Sequence, residues 1–191
     1  MLLRTALDAK RFRNKVLLTK AGLWVPLFDM LVPRHQNVLA VLRTPAGALL
    51  IPASNIVTDA GDIYYAQLGA SESPTNAFGI LELATAGTPG KAANRSGFTV
   101  IGSTQKAHDG TYPKTNDGDA DNTGAGTDVT TYLTSYTGAD FNNGAITHGF
   151  ITNVTPGASE PILTGYAFAA SINKTASDTL KVFTNHTMNG V

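Results

Sequence analysis

The sequence predicts a mostly β protein: an antiparallel β-sandwich or jelly-roll-like domain that follows an N-terminal arm and carries one or two short helices. Three observations lead there. Charged residues make up only 15% of the 191-residue chain, against roughly 25% in ordinary soluble proteins, and Gly, Thr, Asn and Ala take their place. From residue 98 onward, β-branched and aromatic runs alternate with turn sequences at strand-like spacing. Charge is divided along the chain. Residues 1–43 hold eight cations against two anions, whereas the remainder holds six against twelve. A basic segment therefore precedes an acidic body, and the expected division is an assembly arm over 1–45 and a β-rich domain over 46–191.

The elements follow in order. Residues 1–20 are basic with scattered Leu and Val and fit an extended arm or a short helix ending at Gly22. The apolar run "GLWVPLFDMLVP" (22–33) contains the chain's one tryptophan and two prolines, which oppose both a helix and a central strand. "NVLAVLRTPAGALLIPAS" (37–54) reads as a hairpin turning at "TPAG", with Pro45 suited to the first central turn position and Gly47 to positive φ. "TDAGDIYYAQL" (58–68) begins like a short helix capped by Thr58 or Asp59. "FGILELATAG" (78–87) is a strand that runs into a Gly/Pro-rich loop. "FTVIGSTQ", "TDVTTYLTSYT", "GAITHGFITNV", "PILTGYAFAASI" and "TLKVFTNHTMNG" are the remaining strands. In "DVTTYLTSYT", Val129, Thr131, Leu133 and Ser135 alternate with Thr130, Tyr132, Thr134 and Tyr136, which predicts two distinct faces.

The residues offer little chemistry. Asp117, Asp119 and Asp121 occupy positions 1, 3 and 5 of a calcium-loop spacing, with Asp128 at position 12. Asn122 stands at position 6 and can partly replace the usual glycine, but Gly124 at position 8 gives no apolar anchor, and strands rather than helices flank the segment. The expectation is a solvated loop, with a cation site as the minority reading. The four histidines, His35, His108, His148 and His186, lack zinc-ligand spacing, and no nucleophile elbow or phosphate-binding glycine loop occurs. Glu72, Glu82 and Glu160 are not marked as a catalytic pair. The chain has no cysteine and hence no disulfide or thiolate site. We expect no enzyme and no cofactor. No apolar run has the length of a membrane span, and the N-terminus does not read as a signal peptide. "KRFRNK" (10–15) interleaves cations with Phe12, but so few cations favour a protein surface over nucleic acid as the arm's partner.

Two regions resemble tailed-bacteriophage virion structural proteins of the capsid decoration or cement type. One is "NIVTDAGDIYYAQL" followed by "FGILELATAGTPGK". The other is "TDVTTYLTSYTGADFNNGAITHGFITN" with "LTGYAFAASINKTASDTLKVFTNHTMNG". The resemblance implies a structural protein on the virion surface that binds the major capsid protein and itself, as a homotrimer that cements neighbouring capsid subunits. It implies no catalytic residues. Arg11, Arg13, Trp24, Leu27 and Phe28 are the expected interface residues of the arm. A neck, tail or baseplate component is the alternative within a virion. A receptor- or glycan-binding module, using exposed Tyr and Asn with the Asp-rich loop, is the alternative from another class.

Overall fold

The computed structural model describes residues 38–188. The arm's interface candidates Arg11, Arg13, Trp24, Leu27 and Phe28 lie outside the described residues, as does His35. Strands β1 (Val38–Thr44) and β2 (Gly47–Val57) form the expected hairpin. Thr44 pairs with Gly47 across Pro45 and Ala46, and Gly47 takes φ +140°, a conformation that glycine reaches without a Cβ penalty. Val38 to Leu42 are all buried, and β1 pairs with β2 on one side and with β10 (Thr179–Thr187) on the other. The sheet therefore takes in residues 38–44, on the near side of the expected boundary after residue 45.

Thr58 caps helix α1 (Asp59–Gly69), its hydroxyl accepting from the Gly61 amide at 3.1 Å. Gly61 allows the helix to lie on strand β9 (Ile162–Lys174): a Cβ at this position would sit 2.3 Å from the Leu163 carbonyl oxygen. Strand β3 (Phe78–Gly87) has the extent expected from its sequence. The predicted strand at "FTVIGSTQ" shortens to β4 (Phe98–Val100), behind a 3-10 turn at Arg95–Gly97. Beyond it the Thr104 hydroxyl accepts from the Leu83 amide and donates to the Ile101 carbonyl, so a side chain holds the segment instead of a ladder. Two-residue strands β5 (Lys106–Ala107) and β6 (Lys114–Thr115) precede β7 (Val129–Tyr136) and β8 (Asn143–Asn153).

All strand pairs are antiparallel, in the order β4-β3-β8-β9-β2-β1-β10-β7-β6, with β5 also on β3. The sheet curls into a sandwich-like fold whose two ends face each other. Consecutive residues fasten them: the His108 amide donates to the Gly79 carbonyl on β3, and the Asp109 amide donates to the Leu133 carbonyl on β7. The Tyr136 hydroxyl on β7 also donates to the Thr104 carbonyl at 2.8 Å. Val38, Ala40, Leu42, Leu81, Leu83, Tyr136, Ile146, Leu163, Leu180 and Val182 fill the core between the layers. A smaller apolar cluster of Ala84, Phe98, Phe150 and Ile162 lies apart from it.

Strand β7 departs from the alternation its sequence suggests, because both of its faces are buried. Tyr132, Thr134 and Tyr136 are buried, and so are Val129, Thr131 and Leu133. The reason is polar packing: the Asp-rich loop lies over the Thr131 face and satisfies its hydroxyl.

Candidate functional site

The Asp-rich loop is a docked cover rather than a solvated connection. At its centre Asn122, 8% exposed, donates from Nδ2 to Asp117 Oδ2 (3.0 Å), Thr131 Oγ1 (3.3 Å) and Asn185 Oδ1 (3.1 Å). Its Oδ1 accepts from Asn185 Nδ2 at 2.9 Å and from the Gly124 amide at 3.1 Å. Around this centre, the carboxylates meet cations of the same chain. Asp117 pairs with Lys114 at 3.1 Å and accepts from the Tyr112 hydroxyl at 2.8 Å. Lys181 reaches Asp119 at 2.7 Å and Asp121 at 3.1 Å. Arg43, counted in sequence with the basic arm, stands on β1 and pairs with Asp121 at 2.5 Å.

The electrostatics follow from this geometry. Burial works to raise the Asp117 carboxyl, but hydrogen bonds from Asn122, Tyr112 and Lys114 outweigh it and hold the group below its ordinary value. Asp119 is likewise lowered, with the Lys181 hydrogen bond overcoming desolvation. Asp128 is exposed and takes no part in the cluster. Among the described residues, no group of three or more His, Cys, Asp or Glu side chains is arranged to hold a metal ion.

A second polar group lies between the layers, under α1. The Tyr65 hydroxyl is 3.0 Å from the Tyr132 hydroxyl and 2.5 Å from Nδ1 of His186. His108 Nδ1 is 2.9 Å from the Thr134 hydroxyl, and its ring lies 5.2 Å from that of Tyr132. Nε2 of both histidines is sealed from solvent and has no hydrogen-bond partner. Burial pushes His108 and His186 down to about 4, the former against the pull of Asp109. Burial likewise raises Tyr65 and Tyr132 above the ordinary phenol value. At neutral pH both rings are uncharged and both phenols are protonated. The cluster thus has neither an activated nucleophile nor a carboxylate-oriented base, and its chemistry is that of a hydrogen-bonded polar core. Beside it, Val57, Asp62, Tyr65, His186, Thr187 and Met188 line an open depression of about 270 Å³.

The remaining candidates are separately engaged. Glu82 is fully buried and accepts from Arg95 Nε at 3.0 and 3.2 Å. Glu160 accepts from Asn153, and Glu72 is exposed. Lys91 of the glycine-rich loop pairs with Asp62. His148 meets the Thr147 hydroxyl at 2.8 Å. Of the six tyrosines, Tyr64, Tyr65 and Tyr112 are half-buried and the other three are buried.

Sequence reasoning missed the outer surface of the two central strands. β2 and β9 carry no charged side chain except Lys174, and Lys174 is buried, donating from Nζ to the Phe141 carbonyl at 2.8 Å. Ala48, Leu49, Ser54 and Ile56 of β2 and Ala167, Ala169, Ala170 and Ser171 of β9 are exposed. Leu49 stands 55% exposed and Ile56 39%. The available signal was the uncharged run from Thr44 to Thr58. Comparison with known protein families, with curated proteins and with solved structures gave no match.

Proposed function

We propose that this chain is a non-enzymatic building block of a tailed-phage virion: it binds the outside of the icosahedral head as a trimer and cements neighbouring capsid proteins. The sequence resemblance supplies the virion setting. One observation supports the structural character, namely the uncharged exposed surface at the middle of the sheet. Depletion of charge is what distinguishes the buried centre of a protein–protein contact from ordinary surface, and the outer face of this surface joins the small side chains Ala48, Ser54 and Ala167 to the exposed apolar Ile56. The carboxylates of the acidic loop are engaged by Lys114, Lys181 and Arg43 of the same chain. Attachment by a trimer is multivalent, so three weak contacts add up to a firm one through effective concentration.

Counting copies per particle tests this reading. Quantitative mass spectrometry of purified particles is expected to find the chain at hundreds of copies, in proportion to the capsid protein. A small ring number would place it in the neck or tail. Absence from particles would end the virion reading. Deleting residues 1–33 tests the arm separately: full binding and stabilisation of heads by the shortened protein would refute a clamp made by the arm.

A further inference from the structure

Strand β2 changes neighbours along its length, and among the described residues only Ala53 is paired on both sides. Ala53–Val57 pair with Phe168–Thr164 of β9, whereas Gly47–Pro52 pair with β1 alone. On β9, the register against β8 jumps from Ala167↔His148 to Ile172↔Ile146, and Ala169, Ala170 and Ser171 are exposed. The two central strands therefore fork. Both causes are local. Pro52 has no N–H to bond across to β9, and the extra residues of β9 bulge out of the ladder.

The direction of the unpaired groups follows from the register. The Thr58 amide donates to the Leu163 carbonyl at 3.0 Å, continuing the β2–β9 ladder. Even-numbered residues of β2 thus point their N–H and C=O toward β9, since antiparallel neighbours alternate sides. Ala48 and Leu50 therefore aim both groups into the opening, and among the described residues nothing closes on them from that side. The sheet's other edges are protected differently. The terminal strand β4 has three residues, and β5 and β6 have two each and carry Lys106 and Lys114; short length and lysine are common devices against edge pairing. The β2 edge is six residues long and uncharged.

We propose that this edge is a homotypic docking strand: Gly47–Pro52 of two copies pair antiparallel across a two-fold axis at Leu49. Ala48 of each copy then faces Leu50 of the other, which makes four backbone hydrogen bonds, and the two exposed Leu49 side chains meet. A second copy is the fitting occupant because a two-fold axis brings like residues together. Residues 44–58 contain no charge to repel its counterpart, and the edge offers none to attract a partner of opposite sign. The nearest cation, Arg43, is engaged by Asp121. The inference does not rest on the virion reading.

The chain has no cysteine, so a single introduced thiol reports the pairing. Leu49 would face its counterpart as a non-hydrogen-bonded pair, with Cα atoms about 4.5 Å apart, within disulfide range. Full-length Leu49→Cys is compared under mild oxidation with Ala66→Cys, which sits at an exposed position on α1, and with Leu49→Cys carrying Ala48→Lys. The expected result is covalent dimer from Leu49→Cys roughly tenfold or more faster than from Ala66→Cys, with Ala48→Lys returning it to the control rate. In sedimentation velocity, the concentration-dependent increase of the wild type should be lost in Ala48→Lys while its thermal melt is unchanged. Equal cross-linking rates for the two thiols overturn the proposal. So does a dimer indifferent to Ala48→Lys, which would place self-association on another surface.

Discussion

Replacing Asn122 with alanine tests whether the acidic loop is part of the folded body. Among the described residues this side chain is the only hydrogen-bond acceptor of Asn185 Nδ2, and Asn185 is 2% exposed. Truncation leaves that amide buried without a partner, a cost of about 1–3 kcal/mol. Asp117 keeps Tyr112 and Lys114, and Asn185 Oδ1 keeps the Thr131 hydroxyl at 2.7 Å, so neither is stranded. The Gly124 amide loses its anchor, which adds about 1 kcal/mol. The expected loss is about 2–4 kcal/mol, or a fall in Tm of about 5–12 °C for a domain of this size. Urea and thermal unfolding followed by far-UV circular dichroism measure it. Combining Asn122→Ala with Asn185→Ala removes the stranded amide as well, so the double variant should lose less than the two single variants together, by about 1 kcal/mol. Asn122→Asp sharpens the test, because it sets a second carboxylate against Asp117 and its defect should ease as the pH is lowered. If Asn122→Ala stays within about 0.5 kcal/mol of wild type, the range of an inert surface change, the loop is not docked and the argument fails.

Acid should weaken the fold in a defined window. His108 and His186 titrate at about 4 when folded, against 6.5 ordinarily. The unfolded chain therefore takes up protons that the native state refuses, and stability drops as pH falls from about 6.5 to about 4. The slope is at most about 1.4 kcal/mol per pH unit for each histidine. Urea midpoints between about pH 7 and pH 4.5 measure it, and a flat profile would contradict the burial argument. Calcium should change little: because Lys181 and Arg43 already occupy the carboxylates of Asp119 and Asp121, millimolar calcium should move Tm by less than about 1 °C. A rise of several degrees that Asp119→Asn abolishes would restore the loop as a cation site.

What was legible in the sequence depended on how far apart the determining residues stand. The β1–β2 turn, the Thr58 cap and the limits of β3 are each decided within a few neighbouring residues, and sequence alone placed them well. The role of the aspartates was not legible, because their partners are remote. Arg43 lies 78 residues from Asp121, Lys181 lies 62 from Asp119, and Asn185 lies 63 from Asn122. A spacing of alternate aspartates invites a metal reading only while those cations are out of view. The same distance misled the reading of β7. Alternation predicts one buried face, and the second is buried by a loop whose polar side chains match Thr131 and Asn185, which hydropathy counts as surface.

Pro52 shows how a local rule holds while its usual conclusion fails. Proline within a strand marks an edge, yet β2 lies between β1 and β9 in the middle of the sheet. Both statements are true of different halves of the strand. Ala53–Val57 carry the β9 ladder, and Gly47–Pro52 are an edge on that side because the residue that ends the ladder has no proton to give. The proline thus divides one strand into a structural half and an open half, and the open half is where the uncharged run from Thr44 to Thr58 acquires a consequence. In a covered strand, neutrality is required by burial. On an exposed edge it leaves backbone groups accessible with nothing to repel an approaching strand, which is the condition that the proposed pairing of two copies requires.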